Sequence, residues 1–297
     1  MICIYHSRDL DGFASGAIVK RKYTDATLIG YDYGQPFPWD RISKDEEVVM
    51  IDVSLNMPDM LKLSELCHKL TWIDHHISAI NDYHEFLRGL ELPLHFLVPV
   101  LEDGISACEG GWKYLFPDEE MPIGIRLLGE YDTWRNKDRH HWENRVLPYQ
   151  FGMRMYCTSP EKLPWKSVTS QDGVNDVVEA GVTVLLYQAQ VNEGQCKKAF
   201  PYHFKGLSAI CLNGGGFNSD VFKSVYDPEQ HDIMMPFQFN GKFWTFSLYT
   251  TKDDIDCSAI AKSMGGGGHR KASGFQVNHL SEVFHFMDSQ VELQSAN

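Results

Sequence analysis

The chain has 297 residues, 43% hydrophobic and 23% charged, values of an ordinary folded protein that exclude a disordered, collagenous or coiled-coil class. A formal net charge of -13, from 40 acidic against 27 basic residues, disfavours a protein that works by neutralising long runs of phosphate on duplex DNA. A length near 300 residues exceeds what one hydrophobic core sustains, so two domains are expected.

Three short apolar runs in the first third end abruptly in acidic or histidine residues. Ile2 to Tyr5 stops at His6, Val48 to Ile51 at Asp52, and Leu70 to Ile73 at Asp74, His75 and His76. Between them Phe13, Ala14, Ala17 and Ile18, then Leu61 and Leu66, recur at helical spacing. Strands alternating with helices predict a parallel α/β sheet. Doubly buried parallel strands read as unbroken apolar runs, and their ligands gather at the carboxyl ends. Further helices are predicted from Ile105 to Phe116 and from Pro122 to Tyr131, the second leading into Asp132, whereas Thr158 to Ser170 reads as loop. Val174, Val177, Val178, Val182 and Leu185 predict a helix joining two domains. The expected division is 1–175, a linker helix over 176–195, and 196–297, with the boundary near residue 190. The second part reads as a smaller α/β unit with strands at Leu207 to Leu212, Ile233 to Phe239 and Phe243 to Tyr249, a helix near Ser258 to Met264 and a closing helix from Leu280.

No apolar run reaches the ~18 residues of a spanning helix, and no basic stretch followed by an apolar core opens the chain, so a cytoplasmic protein that meets no membrane is expected. The seven cysteines are scattered, odd in number and without C-x-x-C pairs. That pattern argues for buried thiols and against a disulfide framework or a Cys-rich zinc site.

The residues suited to chemistry lie at the ends of the apolar runs. In His6-Ser7-Arg8-Asp9-Leu10-Asp11-Gly12, an extended backbone puts Asp9 and Asp11 on one side, and Gly12 lets the chain turn into a helix. With Asp52, His75 and Asp132 they make six oxygen or imidazole donors. Each alone has a plain structural role: His6 and Asp52 as strand ends, Asp9 as a helix cap, Asp11 as a turn residue, Asp132 as a solvated charge. Together, three successive strands each ending in a ligand type favour a metal centre. Carboxylates gathered in one cleft repel by about 4 kcal/mol per close pair at an effective dielectric near 20, so cations must hold them. Mixed carboxylate and imidazole donors without thiolate favour Mn²⁺, with Mg²⁺ or Co²⁺ also suitable. Two ions sharing a carboxylate suit in-line attack on phosphorus, which points to phosphoester hydrolysis.

A second feature is Gly265-Gly266-Gly267-Gly268-His269-Arg270-Lys271-Ala272-Ser273-Gly274-Phe275. A glycine run can expose backbone N–H groups as an anion-binding nest, and His269, Arg270 and Ser273 add donors. This composition suits a phosphate or sugar edge.

The H-x-x-D-x-D-G start, the lone Asp52, the Asp74-His75-His76 triplet and the Asp132 segment, in that order, resemble the motifs of the DHH phosphoesterase superfamily. The glycine segment is similar to that of the associated C-terminal domain. The chain looks most like the branch of oligoribonucleases and cyclic-nucleotide phosphodiesterases. The resemblance implies an N-terminal parallel-sheet DHH domain, a smaller C-terminal α/β domain, and an active site in the cleft between them. It implies one Mn²⁺ on His6, Asp9 and Asp52 and a second on Asp11, Asp52, His75 and Asp132, with Asp52 bridging. His76 would face the scissile phosphate and Asp74 would orient an imidazole. Gly266, Gly267, Gly268, His269, Arg270, Ser273 and Tyr249 would bind substrate. Tyr249 stands where some relatives carry an arginine, which leaves room for base or ribose stacking in place of a charged clamp. The implied activity is hydrolysis of short RNA or dinucleotides to 5′-mononucleotides by water activated between two metals. A cyclic nucleotide or cyclic dinucleotide substrate, a pyrophosphatase of the family II kind and a non-catalytic nucleotide-binding module are the alternatives. A homodimer is compatible with this reading.

Overall fold

In the computed structural model, which describes residues 1–88 and 97–285, the three apolar runs become neighbouring strands of one parallel sheet. The first unit spans Met1–Leu185. Its elements up to the last strand are β1 (Ile2–His6), α1 (Leu10–Lys22), β2 (Thr27–Tyr31), β3 (Glu47–Ile51), α2 (Met57–Leu66), β4 (Lys69–Asp74), α3 (Ile77–Arg88) and β5 (Leu97–Leu101). Helices α4 (Ala107–Leu115) and α5 (Ile123–Asp132) follow, then the short α6 (Arg139–His141), a π-helical turn over Trp142–Val146 and α7 (Leu147–Tyr156).

The sheet order is β2-β1-β3-β4-β5, all pairs parallel. Side chains alternate across a strand, and the core divides accordingly. Cys3, Tyr5, Val49 and Ile51 pack with Ala14 and Ile18 of α1, Trp112 of α4 and Ile125 of α5. Ile2, Ile4, Val48, Met50 and Trp72 pack with Met60 and Leu63 of α2 and Ala79 of α3. Helices therefore cover both faces. From β1 the chain leaves first toward β2 on one side and then returns to β3 on the other, so the crevice beyond the carboxyl ends of β1 and β3 is the switch point where such sheets bind ligands. His6, Asp9 and Asp52 stand there.

The tract from Thr158 to Ser170, expected as loop, contains a 3₁₀ turn at Pro160–Lys162 and helix α8 (Trp165–Thr169). Its prolines disguised these elements, for Pro160 occupies a first-turn position and Pro164 the N-cap, where a missing N–H costs nothing. Helix α9 runs from Gln171 to Cys196, and the unit boundary falls inside it, between Leu185 and Leu186.

The second unit is a mixed sheet of order β10-β11-β9-β8-β7-β6. Its strands are β6 (Phe200–Phe204), β7 (Leu207–Asn213), β8 (Ile233–Phe239), β9 (Trp244–Tyr249), β10 (Gly267–Gly268) and β11 (Ala272–Val277), with α10 (Cys257–Ser263) before β10. Only β7 and β8 pair in parallel. Stacked rings form its core: Phe246 lies 5.2 Å from Phe237 and 5.0 Å from Phe275, both nearly coplanar. Where a closing helix is expected from Leu280, the chain forms only a 3₁₀ turn, Leu280–Glu282, and residues 283–285 are not helical; the rest of the expected segment lies outside the described residues. All seven cysteines are buried and unpaired. No helix among the described residues is long and apolar enough to cross a membrane.

Candidate metal centre

Each donor is set by a strand end or a helix terminus. Asp9 is the N-cap of α1, with Oδ1 accepting from Gly12 N–H at 3.0 Å, while its Oδ2 lies 3.2 Å from His6 Nδ1. Cap and ligand are thus two oxygens of one carboxylate. Gly12 has no alternative: a Cβ there would stand 1.9 Å from the His6 carbonyl oxygen. Gly12→Ala is therefore expected to cost about 3 kcal/mol in thermal or denaturant unfolding, the upper range for overpacking. A change within about 0.5 kcal/mol would show that the loop yields freely.

Asp11 accepts from the Ala107 and Cys108 N–H groups at 2.9 and 2.8 Å, so the N-terminus of α4 fixes it. That terminus is closed by a capping box between Ser106 and Glu109. Asp52 is 1% exposed and adopts a positive φ of 61°, a conformation Asp and Asn tolerate better than other residues but at a cost of order 1 kcal/mol. Its N–H donates to Ile73 O at 3.0 Å. This left-handed kink lets the carboxylate face two histidines at once: Oδ2 lies 3.4 Å from His6 Nδ1 and Oδ1 lies 3.4 Å from His75 Nε2. His75 Nε2 is also 3.7 Å from Asp11 Oδ2 and 3.3 Å from Asp132 Oδ2, the last at the end of α5.

All six expected donors come together. They form one group of His6, Asp9 and Asp52 and another of Asp11, His75 and Asp132, and Asp52 also lies within a group of Asp74, His75 and His76. These separations test whether a cation fits. Donors sharing an ion at bonds of about 2.1 Å stand roughly 3.0 to 3.4 Å apart, at the long end of hydrogen-bond distances. The buried His6 Nδ1 and Asp52 Oδ2 have no hydrogen-bond partner among the described residues, a state that is expensive without a ligand. The residues fit divalent ions held by mixed carboxylate and imidazole.

Electrostatics agree. Burial, then the Asp11 carboxylate, pushes Asp52 far above the ordinary carboxyl range. Burial followed by Asp11 and Asp52 pushes Asp132 up to about 8. Burial works against charge on His6, but the Asp52 and Asp9 carboxylates outweigh it and raise His6 to about 10.

Asp74 and His76 form a separate pair. Asp74 Oδ1 takes His75 N–H at 2.7 Å, His76 N–H at 3.1 Å and His76 Nδ1 at 2.7 Å. Burial would raise the Asp74 pKa, but the hydrogen bonds from His76 outweigh it and lower it. The same bond raises that of His76. With Nδ1–H committed to Asp74, Nε2 is the free edge of the His76 ring.

One contributor escaped the sequence reading. Asp32 Oδ1 lies 3.5 Å from His6 Nε2, behind the ring edge opposite the ligand edge, the position from which a carboxylate orients a metal-binding histidine. Its signal was present, since Leu28-Ile29-Gly30-Tyr31 is another apolar run that ends in an aspartate.

The glycine segment differs from the expected nest. Gly265 and Gly266 N–H groups donate to Lys262 O and Ala261 O, closing α10, and His269 N–H donates to Ala272 O. Gly267 and Gly268 pair with Gly274 and Ser273. Ser273 Oγ donates to Cys257 O, and Arg270 Nη2 to Asp253 O. Most of the supposed anion donors are thus spent on a β-ribbon. His269 is exposed and Tyr249, on β9, is half-buried opposite Met234 and Ala272.

Fold and site together define an α/β protein with a carboxylate–imidazole cluster that could hold metal at the switch point of a parallel sheet. No family model matches the chain. It is 23% identical over 315 aligned residues to the uncharacterized protein R106 of Acanthamoeba polyphaga mimivirus, covering 96% of this chain and 69% of that protein. It is 22% identical over 313 residues to the oligoribonuclease NrnB of Bacillus subtilis (strain 168), covering 96% and 75%. Among solved structures, a pGpG-specific phosphodiesterase, PggH of Vibrio cholerae, superposes with a TM-score of 0.52 at 13% identity over 95% of this chain and 94% of that one. Over nearly its whole length the chain is thus similar to an oligoribonuclease, and it shares the fold of a phosphodiesterase.

Proposed function

We propose that the chain is a metal-dependent phosphodiesterase that hydrolyses short RNA oligonucleotides or dinucleotides to 5′-mononucleotides. The observation that carries this reading is the Asp52 carboxylate, whose two oxygens each face a different histidine at 3.4 Å. His6, Asp9 and Asp52 would hold one ion, and Asp11, Asp52, His75 and Asp132 the other, with Mn²⁺ the preferred ion and Mg²⁺ or Co²⁺ as substitutes. When bound, such ions neutralise charge developing at phosphorus and lower the pKa of the attacking water.

The remaining work falls to the chain. Asp74 holds His76 in the orientation that presents Nε2, where a proton is available to a phosphate oxygen or the leaving oxygen. Asp32 faces the far edge of His6 at 3.5 Å, and the amides of Ala107 and Cys108 hold Asp11. The second unit is proposed to bind the far end of the substrate through Gly266 to Gly268, His269, Arg270, Ser273 and Tyr249. The net negative charge of the chain supports a short substrate, because few phosphates need neutralising. The names of two relatives, an oligoribonuclease and a pGpG-specific phosphodiesterase, support the same class.

The test is a panel of end-labelled RNAs of two to about five nucleotides, run with Mn²⁺ or Mg²⁺ beside cyclic AMP, cyclic GMP, cyclic dinucleotides and pyrophosphate. Release of 5′-mononucleotides from the shortest RNAs is the expected result. Exclusive turnover of a cyclic nucleotide or of pyrophosphate would replace the proposal with that activity, and binding without turnover of any member would leave a nucleotide-binding module.

A further inference from the structure

Helix α5 delivers Asp132 to the metal centre and then ends in an unusual way. Trp134 N–H donates to Tyr131 O at 3.1 Å and Arg135 N–H to Glu130 O at 2.9 Å. This is the paired bonding of a Schellman turn, in which the residue at Trp134's position is left-handed and usually glycine. Trp134 has a φ of +54° and is 62% exposed. A bulky residue is thus forced into a conformation that glycine adopts freely, and its ring is left largely in water.

Neighbouring contacts hold this strain in place. Arg135, the next residue, donates from Nη2 to Glu109 Oε2 at 2.7 Å, and Glu109 is buried. Glu109 also accepts from Ser106 N–H within the capping box of α4, the helix whose first amides hold Asp11. The Trp134 ring leans edge-on against Trp142 at 4.9 Å, which opens the π-helical turn, and Trp142 stacks on Tyr131 at 5.7 Å. Both a left-handed bulky residue and a π-turn are costly local features that concentrate at functional sites. Here they converge on an exposed indole two residues from a candidate metal ligand. Folding alone gives no reason for that arrangement, since a glycine would close the turn with less strain.

We infer that Trp134 is a stacking platform for a nucleobase of the substrate, braced from behind by Trp142 and Tyr131. Every base has a π-face, so one indole serves without dictating sequence, as in proteins that hold single strands. This assignment rests on the phosphodiesterase reading and deepens it, because it makes a base-bearing nucleotide, and not inorganic phosphate or pyrophosphate, the class of substrate.

The experiment compares wild type, Trp134→Gly and Trp134→Phe, with Mn²⁺, on 5′-phosphorylated diadenylate and on the same sugar-phosphate backbone without bases. Trp134→Gly is expected to raise KM for the diadenylate roughly ten-fold or more, and to leave the baseless substrate within about two-fold of wild type. Trp134→Phe restores most of the lost affinity. The melting temperature of Trp134→Gly stays level or rises, because glycine is the residue this turn prefers. An unchanged KM in Trp134→Gly, an equal loss on the baseless substrate, or a marked fall in melting temperature that Phe repairs would overturn the stacking role. Wild-type protein that cleaves neither substrate would overturn the phosphodiesterase reading and this one together, whereas wild-type cleavage with an indifferent glycine variant removes the platform alone.

Discussion

Replacing Asp52 by asparagine is expected to lower kcat/KM on short RNA by at least about 10³-fold, the order lost when one group that stabilises a transition state is deleted. Asparagine has nearly the same shape, tolerates the left-handed φ of 61°, and keeps the backbone bond to Ile73 O. It lacks the charge and the second anionic oxygen through which Asp52 faces both His6 and His75. Titration of the variant with Mn²⁺, followed by calorimetry or electron paramagnetic resonance, should show at least one ion lost or weakened by more than about 10-fold. Stability separates this outcome from misfolding. Asp52 is buried beside Asp11 and is driven toward its neutral form, so a neutral amide should leave the chelated protein at pH 8 at least as stable as wild type. A variant that folds normally, binds two ions and turns over at the wild-type rate would remove the shared-carboxylate centre and the mechanism with it.

What the sequence made legible follows from where burial is greatest. Strands β1, β3 and β4 lie inside the sheet, covered by helices on both faces, and their unbroken apolar runs announce them. The edge strands β2 and β5 are only partly buried. Gly30 interrupts one and Pro99 sits in the other, so neither carries the pattern of a doubly covered strand. Missing β2 hid Asp32, although its run ends in an aspartate as the others do. The six candidate metal donors were readable because each lies at or near the end of an element with a strong apolar signal. The glycine segment misled because pairing with Ser273 and Gly274 is a tertiary choice; a glycine run permits a nest and a ribbon equally, and only the partner strand decides. Trp134 was invisible for a different reason. A left-handed tryptophan contradicts local preference, and such contradictions are held by contacts distant in sequence, here the Arg135–Glu109 pair.

Chelated protein is expected to lose thermal stability as the pH rises from about 5.5 to about 8.5, by on the order of 5 to 10 °C, and divalent ions should flatten that slope. The sign follows from the groups that move. Asp132 has an ordinary value of 3.8 and stands at about 8 in the folded chain. Between those values the unfolded chain has released a proton that the native state retains, so raising the pH favours unfolding. Asp52 is raised for the same reasons and adds to the effect. His6 moves from 6.5 to about 10; the stability of its charged form is complete below 6.5 and is lost as the pH climbs toward 10. Asp9 and Asp74 are lowered instead, so their contribution fades only in acid, below the ordinary carboxyl range, and leaves this window untouched. Cations reverse the balance, because the ionised carboxylates that repel in the metal-free protein are the form that binds, and mass action then stabilises the native state at high pH. Differential scanning calorimetry with chelator and with Mn²⁺ across this range provides the check, and Asp52→Asn should flatten the chelated profile by removing one contributor. Parallel profiles with and without the ion would mean that the cluster binds no cation in this range, and the electrostatic case for the centre would fail.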